Sequence, residues 1–200
     1  MNIQLIKGKL SSKTVGIAGC GGLGSNCAAA LARTGIGQLI IVDFDTIDES
    51  NLNRQYYFRH QLGMKKVEAL SGNLQMINPE TIIKAHHIRL DAGNIPVVFR
   101  HCDVIVEAFD KAEMKEMIIE TVAEKLPEIP LVVGNGMAGW GRNNILMTAR
   151  MGDNLYVCGD NMSDIDDGLP VLAPRVGIVS MMQANTVLNI LLKTENTMQL

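Results

Sequence analysis

A glycine-rich segment near the amino terminus, Gly19-Cys20-Gly21-Gly22-Leu23-Gly24, is the chain's clearest chemical motif. It follows an apolar run and opens a helical pattern, so its glycines permit a tight turn and close approach of a ligand. Unpaired N–H groups at the helix start favour a phosphate by about 0.3–1 kcal/mol. Asp43 ends the next apolar run, where a carboxylate can accept ribose hydroxyl groups. The motif predicts a nucleotide site at Gly19, Gly21, Gly22, Leu23, Gly24 and Asp43; a purely structural glycine turn is the alternative.

The polar segment that follows Asp43 indicates which nucleotide binds. Glycine motifs of this type are common in NAD-dependent dehydrogenases, which normally continue into a helix here and have no use for an arginine. This chain instead has Arg54 in the polar segment and Lys66 at the start of the next helical pattern. A triphosphate needs such cations near its terminal phosphates, one as a planar fork and one as a point charge. The pattern favours a triphosphate over NAD, unless both cations are ordinary solvated surface charges.

Strands and helices must alternate along the chain to position these groups. Five apolar runs predict strands, at 14–19, 38–43, 81–88, 103–108 and 129–133. Four helical patterns lie between them, at 22–33, 64–77, 92–100 and 111–125. This alternation predicts an α/β fold, Rossmann-like and doubly wound, with a mostly parallel sheet. Towards the carboxyl terminus, segments 144–150 and 155–158 predict additional antiparallel or edge strands, and a long helix starts near residue 173.

Composition limits the protein class and its surroundings. The 200 residues fit a single domain spanning 1–200, and 47% hydrophobic with 20% charged residues excludes a disordered chain. A net charge of −3 argues against nucleic-acid binding by phosphate neutralisation. The apolar segment 176–192 is interrupted by polar residues, so no membrane partner is expected. Four cysteines without a CxxC pair, and no signal-like leader, predict the reducing cytoplasm.

Several short motifs taken together resemble the ThiF/MoeB/HesA family of ubiquitin-activating-like adenylyltransferases. They are the glycine segment, Asp43-Phe-Asp45, Ser50-Asn-Leu-Asn-Arg-Gln55, Gly63-Met-Lys-Lys66 and Asp110. The resemblance runs from about Thr14 to the last helix, and it is nearest to the short ThiF-like group. In that group the segments Glu107-Ala-Phe-Asp110, Gly136-Met-Ala-Gly139 and Ala173-Pro-Arg-Val176 are also recognisable.

The resemblance implies an enzyme that uses ATP and Mg²⁺ to adenylate the C-terminal glycine of a small ubiquitin-like sulfur carrier protein ending in Gly-Gly. Such an adenylyltransferase releases pyrophosphate, and the nearest group implies a role in thiamine (thiazole) synthesis. Catalytic roles are implied for three residues, Arg54, Lys66 and Asp110. Asp43 would hold the ribose, Asp110 the magnesium, and the remaining nucleotide contacts would come from Asp45, Asn51, Arg54, Gln55 and Lys66. The family also implies a homodimer.

Some of these assignments have alternatives within the sequence. Lys65 could be the active lysine, although the spacing from Gly63 fits Lys66 better. Asp110 could cap the following helix, alone or while also binding metal. Asp45 and Gln55 are left open between binding and structural roles. The helix at 176–192 is consistent with a subunit interface and equally with a buried core helix.

Three departures from the family pattern affect these expectations. Relatives with a structural zinc carry two CxxC pairs, whereas the matching region here has only Cys158, so no structural zinc is predicted. The segment 162–171 lacks the cysteine that links some relatives to their carrier, and Cys158 is more consistent with a buried inert thiol. No arginine precedes Arg33 to complete a partner's ATP site, so either Lys7, Lys9 or Lys13 substitutes for it or the site is completed in another way.

Three other functions remain open from the sequence. A relative could act on another carrier or on tRNA, although the small basic content disfavours tRNA. An NAD-dependent oxidoreductase would explain the glycine motif but would leave Arg54 and Lys66 unexplained. A catalytically silent nucleotide-binding module is suggested by the missing N-terminal arginine.

Overall fold

The computed structural model describes residues 2–163 and 168–192. These residues form one seven-stranded sheet with helices on both faces, and the elements are, in chain order, α1 (Ile3–Leu10), β1 (Thr14–Ala18), α2 (Gly22–Thr34), β2 (Gln38–Val42), α3 (Lys66–Ile77), β3 (Ile82–His86), α4 (Ile95–Phe99), β4 (Val104–Glu107), α5 (Ala112–Lys125), β5 (Leu131–Gly134), β6 (Met147–Arg150), β7 (Leu155–Gly159) and α6 (Ala173–Leu192). Short 3₁₀ turns occur at Glu49–Asn51, Arg59–Gln61 and Asn143–Ile145.

The strand order is β3-β2-β1-β4-β5-β7-β6, and every neighbouring pair is parallel except β6 with β7. This confirms the predicted doubly wound, mostly parallel sheet. One detail differs, because β7 runs parallel to β5 and only β6 is an antiparallel edge strand. After β5 the chain crosses to the sheet edge, forms β6, and returns through a hairpin. The returning strand therefore fills the place beside β5 in the parallel direction.

Alternation along the buried strands divides the core into two apolar layers. In β1 and β4, Val15, Ile17 and Val104 face the layer that contains α2, α3 and α6. Ala18 and Ile105 face the opposite layer, which contains α4 and α5. Because both faces of the central sheet are covered, strands such as β1 and β2 are almost wholly apolar, whereas the edge strands β3 and β6 are largely exposed and carry polar residues.

The structure adds to the sequence-based expectations for two helices. The helix α1 was not predicted; the Asn2 side chain accepts a hydrogen bond from the Leu5 amide (2.9 Å) at its start, and Leu10 is buried. The helix α6 is long and apolar enough to cross a membrane by length and composition, with a mean hydropathy of 1.2. In the structure it packs along α2, and its Gln183 amide donates to the backbone oxygens of Glu107 and Val132. One side of α6 therefore belongs to the protein core.

Candidate functional site

The predicted site residues follow the carboxyl ends of three neighbouring strands, β1, β2 and β4. From β1 the chain proceeds outward through β2 and β3, and it then returns to place β4 on the other side of β1. The strand order thus reverses between β1 and β4. In open α/β sheets a crevice forms at this point, outside the carboxyl ends of the strands, and ligands bind there. The topology brings the glycine loop, the segment after Asp43 and the segment before Asp110 to this one edge.

Close packing requires two of the loop glycines. Gly19 has φ +98°, and a Cβ atom there would lie 2.8 Å from the carbonyl oxygen of Ala108. A Cβ at Gly24 would lie 1.9 Å from the carbonyl oxygen of Gly19, so the first turn of α2 rests directly on the loop. The helix has Gly21 as its N-cap and no side-chain capping bond. Its first N–H groups are therefore left for a ligand, as the sequence predicts.

Two other residues of the motif have different surroundings. Gly22 faces α6, since a Cβ there would lie 3.0 Å from Cγ1 of Val176. The Leu23 side chain is 4% exposed, and its Cδ1 lies 2.4 Å from the position of a Cβ on Gly134. Because this side chain belongs to the core, only the backbone of Leu23 can contact a ligand.

Asp43 lies directly after β2 and is 9% exposed. Its Oδ2 accepts a hydrogen bond from the Cys20 amide (2.7 Å), and its Oδ1 accepts one from the Asp45 amide (2.8 Å). The carboxylate therefore fastens the glycine loop to the end of β2. A carboxylate has about four lone-pair sites, so two acceptances leave capacity for ribose hydroxyl groups.

Lys66 is the first residue of α3 and is 6% exposed, which excludes the solvated-surface alternative for this residue. Its Nζ lies 2.8 Å from Oδ2 of Asp45, and its amide donates to the Asp45 carbonyl (3.0 Å). Lys65, the other candidate, is about half exposed and pairs with Glu68 at 3.0 Å. An ammonium has three donors, so Lys66 can hold Asp45 and still donate to a phosphate. The structure thus favours Lys66 as the cation of the site and gives Asp45 a structural contact with it.

Arg54, Asn51 and Gln55 lie in the polar segment, and each is partly buried. The Arg54 stem runs beside Gly22, while its Nη1 donates to the Ser50 carbonyl (3.0 Å) and to Oδ1 of Asn53 (2.8 Å). The Asn51 Oδ1 accepts from the Asp48 amide (3.1 Å) and completes a capping box around the first 3₁₀ turn. Asn51 is therefore engaged by its own turn rather than directed freely at a ligand.

Gln55 is close to the glycine loop. Its Nε2 lies 3.8 Å from the position of a Cβ on Gly21. Its Oε1 is buried, and among the described residues it has no hydrogen-bond partner. A buried amide oxygen without a partner costs about 1–3 kcal/mol, and a ligand at the loop would offer one. This observation favours the binding role that the sequence left open.

Asp110 lies beyond the end of β4 and is exposed. The N-cap of α5 is Lys111, so the alternative in which Asp110 caps this helix is wrong. Among the residues described by the structure, no hydrogen bond or ion pair engages the Asp110 carboxylate. Glu107 holds the loop that carries Asp110. Its carboxylate accepts hydrogen bonds from the Phe109 amide (2.6 Å) and from Lys115 Nζ (2.8 Å to each oxygen). Burial raises the pKa of the Glu107 carboxyl, while Lys115 favours its charged form.

A second polar cluster, not predicted from the sequence, lies at the same sheet edge beyond β5 and β7. Asp160 and Arg175 form an ion pair in which the side chains are 2% and 4% exposed. Arg175 also donates to the Gly141 carbonyl (2.9 Å), and its buried Nε has no partner within the described ranges. Burial would raise the pKa of Asp160, but donors from Ser163 and Met162 and the Arg175 charge hold it below its usual value. The pair lines a cavity of about 290 Å³, together with Ala138, Gly139, Trp140, Arg142, Ser163 and Leu169.

The four cysteines are all buried and unbridged. Burial raises the pKa of the Cys102 thiol to about 12 and also raises that of Cys158, whose sulfur lies 3.5 Å from the Thr148 hydroxyl. A thiol with a raised pKa is a poor nucleophile, as the sequence predicts for Cys158. In ranges 2–163 and 168–192 no group of three or more His, Cys, Asp or Glu residues could hold a metal. The predicted lack of zinc stays a prediction, and part of the cysteine-free segment 162–171 lies outside the described residues.

Comparison with known proteins identifies a family and several relatives. Residues 6–200 match the model of the ThiF family. The chain is 31% identical over 191 residues to molybdopterin-synthase adenylyltransferase of Haemophilus influenzae, covering 92% of this chain and 77% of the relative. It is 30% identical over 199 residues to adenylyltransferase and sulfurtransferase MOCS3 of Caenorhabditis briggsae, covering 94% of this chain. The chain spans 48% of the length of that second relative.

Among solved structures, the fold is similar to that of E. coli tRNA N6-threonylcarbamoyladenosine dehydratase in complex with AMP. The TM-score is 0.84 at 19% sequence identity, over 94% of this chain and 89% of that one. E. coli MccB is also similar, with a TM-score of 0.73 at 21% identity over 94% of this chain and 59% of the other. These likenesses confirm the α/β fold. With the family model matching residues 6–200, the chain belongs to the ThiF family.

Proposed function

We propose that this chain is an ATP-dependent adenylyltransferase that activates the C-terminal glycine of a small ubiquitin-like sulfur carrier protein ending in Gly-Gly. The observation that carries the proposal is the switch-point crevice, where an uncapped helix start, the Asp43 carboxylate and the nearly buried Lys66 meet. The relatives named as adenylyltransferases support the same activity. We further propose thiamine (thiazole) synthesis as the pathway, cytoplasmic location, and residues 1–200 as a single ATP-binding unit.

In this mechanism the carrier carboxylate attacks the α-phosphate of ATP, and pyrophosphate leaves. The protein contributes position and charge rather than covalent chemistry. The N–H groups at the start of α2 and the Asp43 carboxylate hold the nucleotide by its phosphates and ribose. Lys66 donates to the α-phosphate as negative charge builds there, and its contact with Asp45 keeps its Nζ in place. Arg54 turns its remaining guanidinium donors toward the terminal phosphates.

Magnesium would be held by Asp110. Its exposed carboxylate, without a protein partner among the described residues, offers the hard oxygen that Mg²⁺ prefers. No further carboxylate joins it into a cluster within those residues. Mg²⁺ commonly takes one or two protein carboxylates and completes its shell with phosphates and water, so the single residue fits. When bound, the ion would neutralise charge on the leaving pyrophosphate.

The carrier's terminal residues would enter the cavity lined by Trp140, Asp160 and Arg175. This cavity lies at the same sheet edge as the glycine loop. Arg175 and Val176 are neighbours at the start of α6, and Val176 packs against Gly22. The Nε of Arg175, which has no partner among the described residues, can donate to a peptide carbonyl, while Asp160 already balances its charge. A neutral, extended peptide tail suits this arrangement better than a free anion.

The test is the intact mass of a Gly-Gly-ending carrier after incubation with the protein, ATP and Mg²⁺. The wild type should produce the carrier acyl-adenylate, and Arg54→Ala and Asp110→Ala should abolish it. Lys65→Ala serves as the matched control and should leave product formation unchanged. Tight ATP binding without any adduct would contradict the proposed carrier chemistry and favour a silent module or another carrier. Preferential binding of NAD over ATP would return the site to the oxidoreductase alternative.

We also propose that the protein works as a homodimer. The side of α6 opposite its core face exposes Ile178 and Met181, which are 38% and 46% exposed. Sedimentation at micromolar concentration should show a dimer. A monomer alone at that concentration would remove this proposal and leave α6 as a core helix only.

A further inference from the structure

Polar contacts in the crevice form a ring that joins the glycine loop, the segment after β2 and the start of α3. The Cys20 amide donates to Oδ2 of Asp43 (2.7 Å), and the Asp45 amide donates to Oδ1 of the same carboxylate (2.8 Å). Lys66 contacts Asp45 twice, through its Nζ (2.8 Å) and its amide (3.0 Å). The ring therefore runs from the phosphate loop to the catalytic lysine through two carboxylates.

Tyr57 closes this ring. Its hydroxyl donates to the Cys20 carbonyl (2.8 Å) and lies 3.4 Å from the Lys66 carbonyl. The residue is 6% exposed and lies two positions after Gln55. Burial, together with nearby acidic groups, raises the pKa of Tyr57 well above its ordinary value, so the hydroxyl keeps its proton and remains a donor. The tyrosine thus spans the two parts of the site that must act on the same phosphate.

We propose that Tyr57 is a positioning residue, which sets the glycine loop and Lys66 in register for one nucleotide. The inference rests on the proposed function, since it assigns both groups to ATP. Tyr57 holds the Cys20 peptide by its oxygen while Asp43 holds it by its nitrogen. The peptide plane is fixed from both sides, and so are the N–H groups that follow it. Productive geometry within about 0.5 Å depends on supporting contacts of this kind.

A purely structural role for Tyr57 would also account for its burial, so the test must separate the two. Tyr57→Phe removes only the hydroxyl and keeps the ring in the core. Tyr56→Phe is the matched control: Tyr56 directly precedes Tyr57 in the chain, and within the described part of the chain its hydroxyl accepts only one long bond, from Arg33 (3.3 Å). Both variants are measured for ATP affinity by titration calorimetry, which needs no carrier, and for thermal unfolding.

We expect Tyr57→Phe to weaken ATP binding about fivefold, in the range of one lost hydrogen bond, and Tyr56→Phe to change it less than twofold. An unchanged ATP affinity in Tyr57→Phe, with only a lower unfolding temperature, would overturn the proposal. Absence of ATP binding in the wild type would overturn both this inference and the proposed function. Normal ATP binding with no carrier adenylation would remove only the latter.

A double-mutant cycle with Asp45→Asn tests the ring itself. If Tyr57 and Asp45 belong to one network, breaking a second link costs less than breaking the first. We expect the double variant to bind ATP about as weakly as the worse single variant. Losses that multiply fully would show two independent contacts and would contradict the ring.

Discussion

Two of the ion pairs at the carboxyl edge of the sheet differ in how far water reaches them. In the pair of Lys66 with Asp45, the lysine side chain is 8% exposed and the carboxylate 49%. In the pair of Arg175 with Asp160, the side chains are 4% and 2% exposed. Asp45 stays solvated, so Lys66 keeps donors that a ligand can use. The Asp160 carboxylate is enclosed, so its charge must be compensated by Arg175 together with the donors from Met162 and Ser163. A cation is available to a ligand where its carboxylate partner is also stabilised by water, as Asp45 is.

The comparison predicts opposite outcomes when each cation is removed. Lys66→Met should lower adenylate formation by about 10²–10³-fold, the usual loss when one group that stabilises transition-state charge is deleted. Its free energy of unfolding should change by less than about 1 kcal/mol, because Asp45 remains half exposed. Single-turnover kinetics and urea denaturation measure the two effects. A large loss of stability in this variant would erase the distinction between the pairs.

Removing Arg175 should lower the free energy of unfolding far more than removing Lys66 does. Arg175→Met leaves the Asp160 carboxylate buried without its counter-charge, and we expect a loss of about 3–5 kcal/mol in the free energy of unfolding. The double variant Asp160→Asn/Arg175→Met should regain most of this loss, since no charge is left buried. Denaturant titration of both proteins is the measurement. A double variant no more stable than the single one would mean that packing, not charge, is what Arg175 supplies.

The enclosed pair should also show in the pH dependence of stability. Burial would raise the pKa of Asp160, but its donors and Arg175 hold it below the usual range. A lowered folded-state pKa contributes stability above the unfolded pKa of about 3.9, and this contribution disappears as the pH falls through the folded pKa. Asp160→Asn should therefore be less stable than the wild type between pH 5 and 7, by an amount that shrinks below about pH 4. A difference constant down to pH 2 would contradict the assignment.

The smallest effect is expected at Lys65, beside Lys66, the proposed catalytic lysine. Lys65 is about half exposed. Its ion pair with Glu68 spans one turn at the start of α3, and such a pair contributes about 0.3–0.5 kcal/mol to stability. Lys65→Met should leave adenylate formation within twofold of the wild type and stability within about 0.5 kcal/mol. The same assays as for Lys66→Met apply. If Lys65→Met lost as much adenylate formation as Lys66→Met, the catalytic role would belong to Lys65 as well or instead.

Local patterns explain why much of the fold was predictable. Apolar strands such as β1 and β2, and the glycine motif between β1 and α2, carry their signals within a few residues, and the parallel order follows from their alternation. The direction of β7 was not predictable in this way, because it depends on the chain first reaching the sheet edge through β6. Helix α1 was missed because its signals, an Asn cap and a short apolar pattern, are weak.

For the candidate site, the place of the residues in the fold was easier to predict from the sequence than their side-chain contacts. Asp43, Lys66 and Asp110 follow predicted strands or begin a helix, so their place at one edge follows from the topology. The sequence could not show that Lys66 is buried or that Asp160, just after β7, pairs with Arg175 at the start of α6, since neither contact leaves a short-range pattern. The engagement of Asn51 is an exception, because Asp48 three residues before it is a local capping-box signal in the sequence. Whether the predicted residues bind ATP stays a prediction.

The close contacts of the glycine loop have a consequence for how the protein is synthesised and folds. Gly19 is confined by Ala108, which follows β4, and Gly22 by Val176 in α6. The strand β1 pairs in register with β4, Val15 with Val104, far along the chain. A growing chain that has only its first two strands therefore lacks Ala108 and Val176, the residues that confine its glycine loop. Nucleotide binding should appear late and in one cooperative step, so ATP would act on the nascent chain as a reporter of completed folding rather than as an early template.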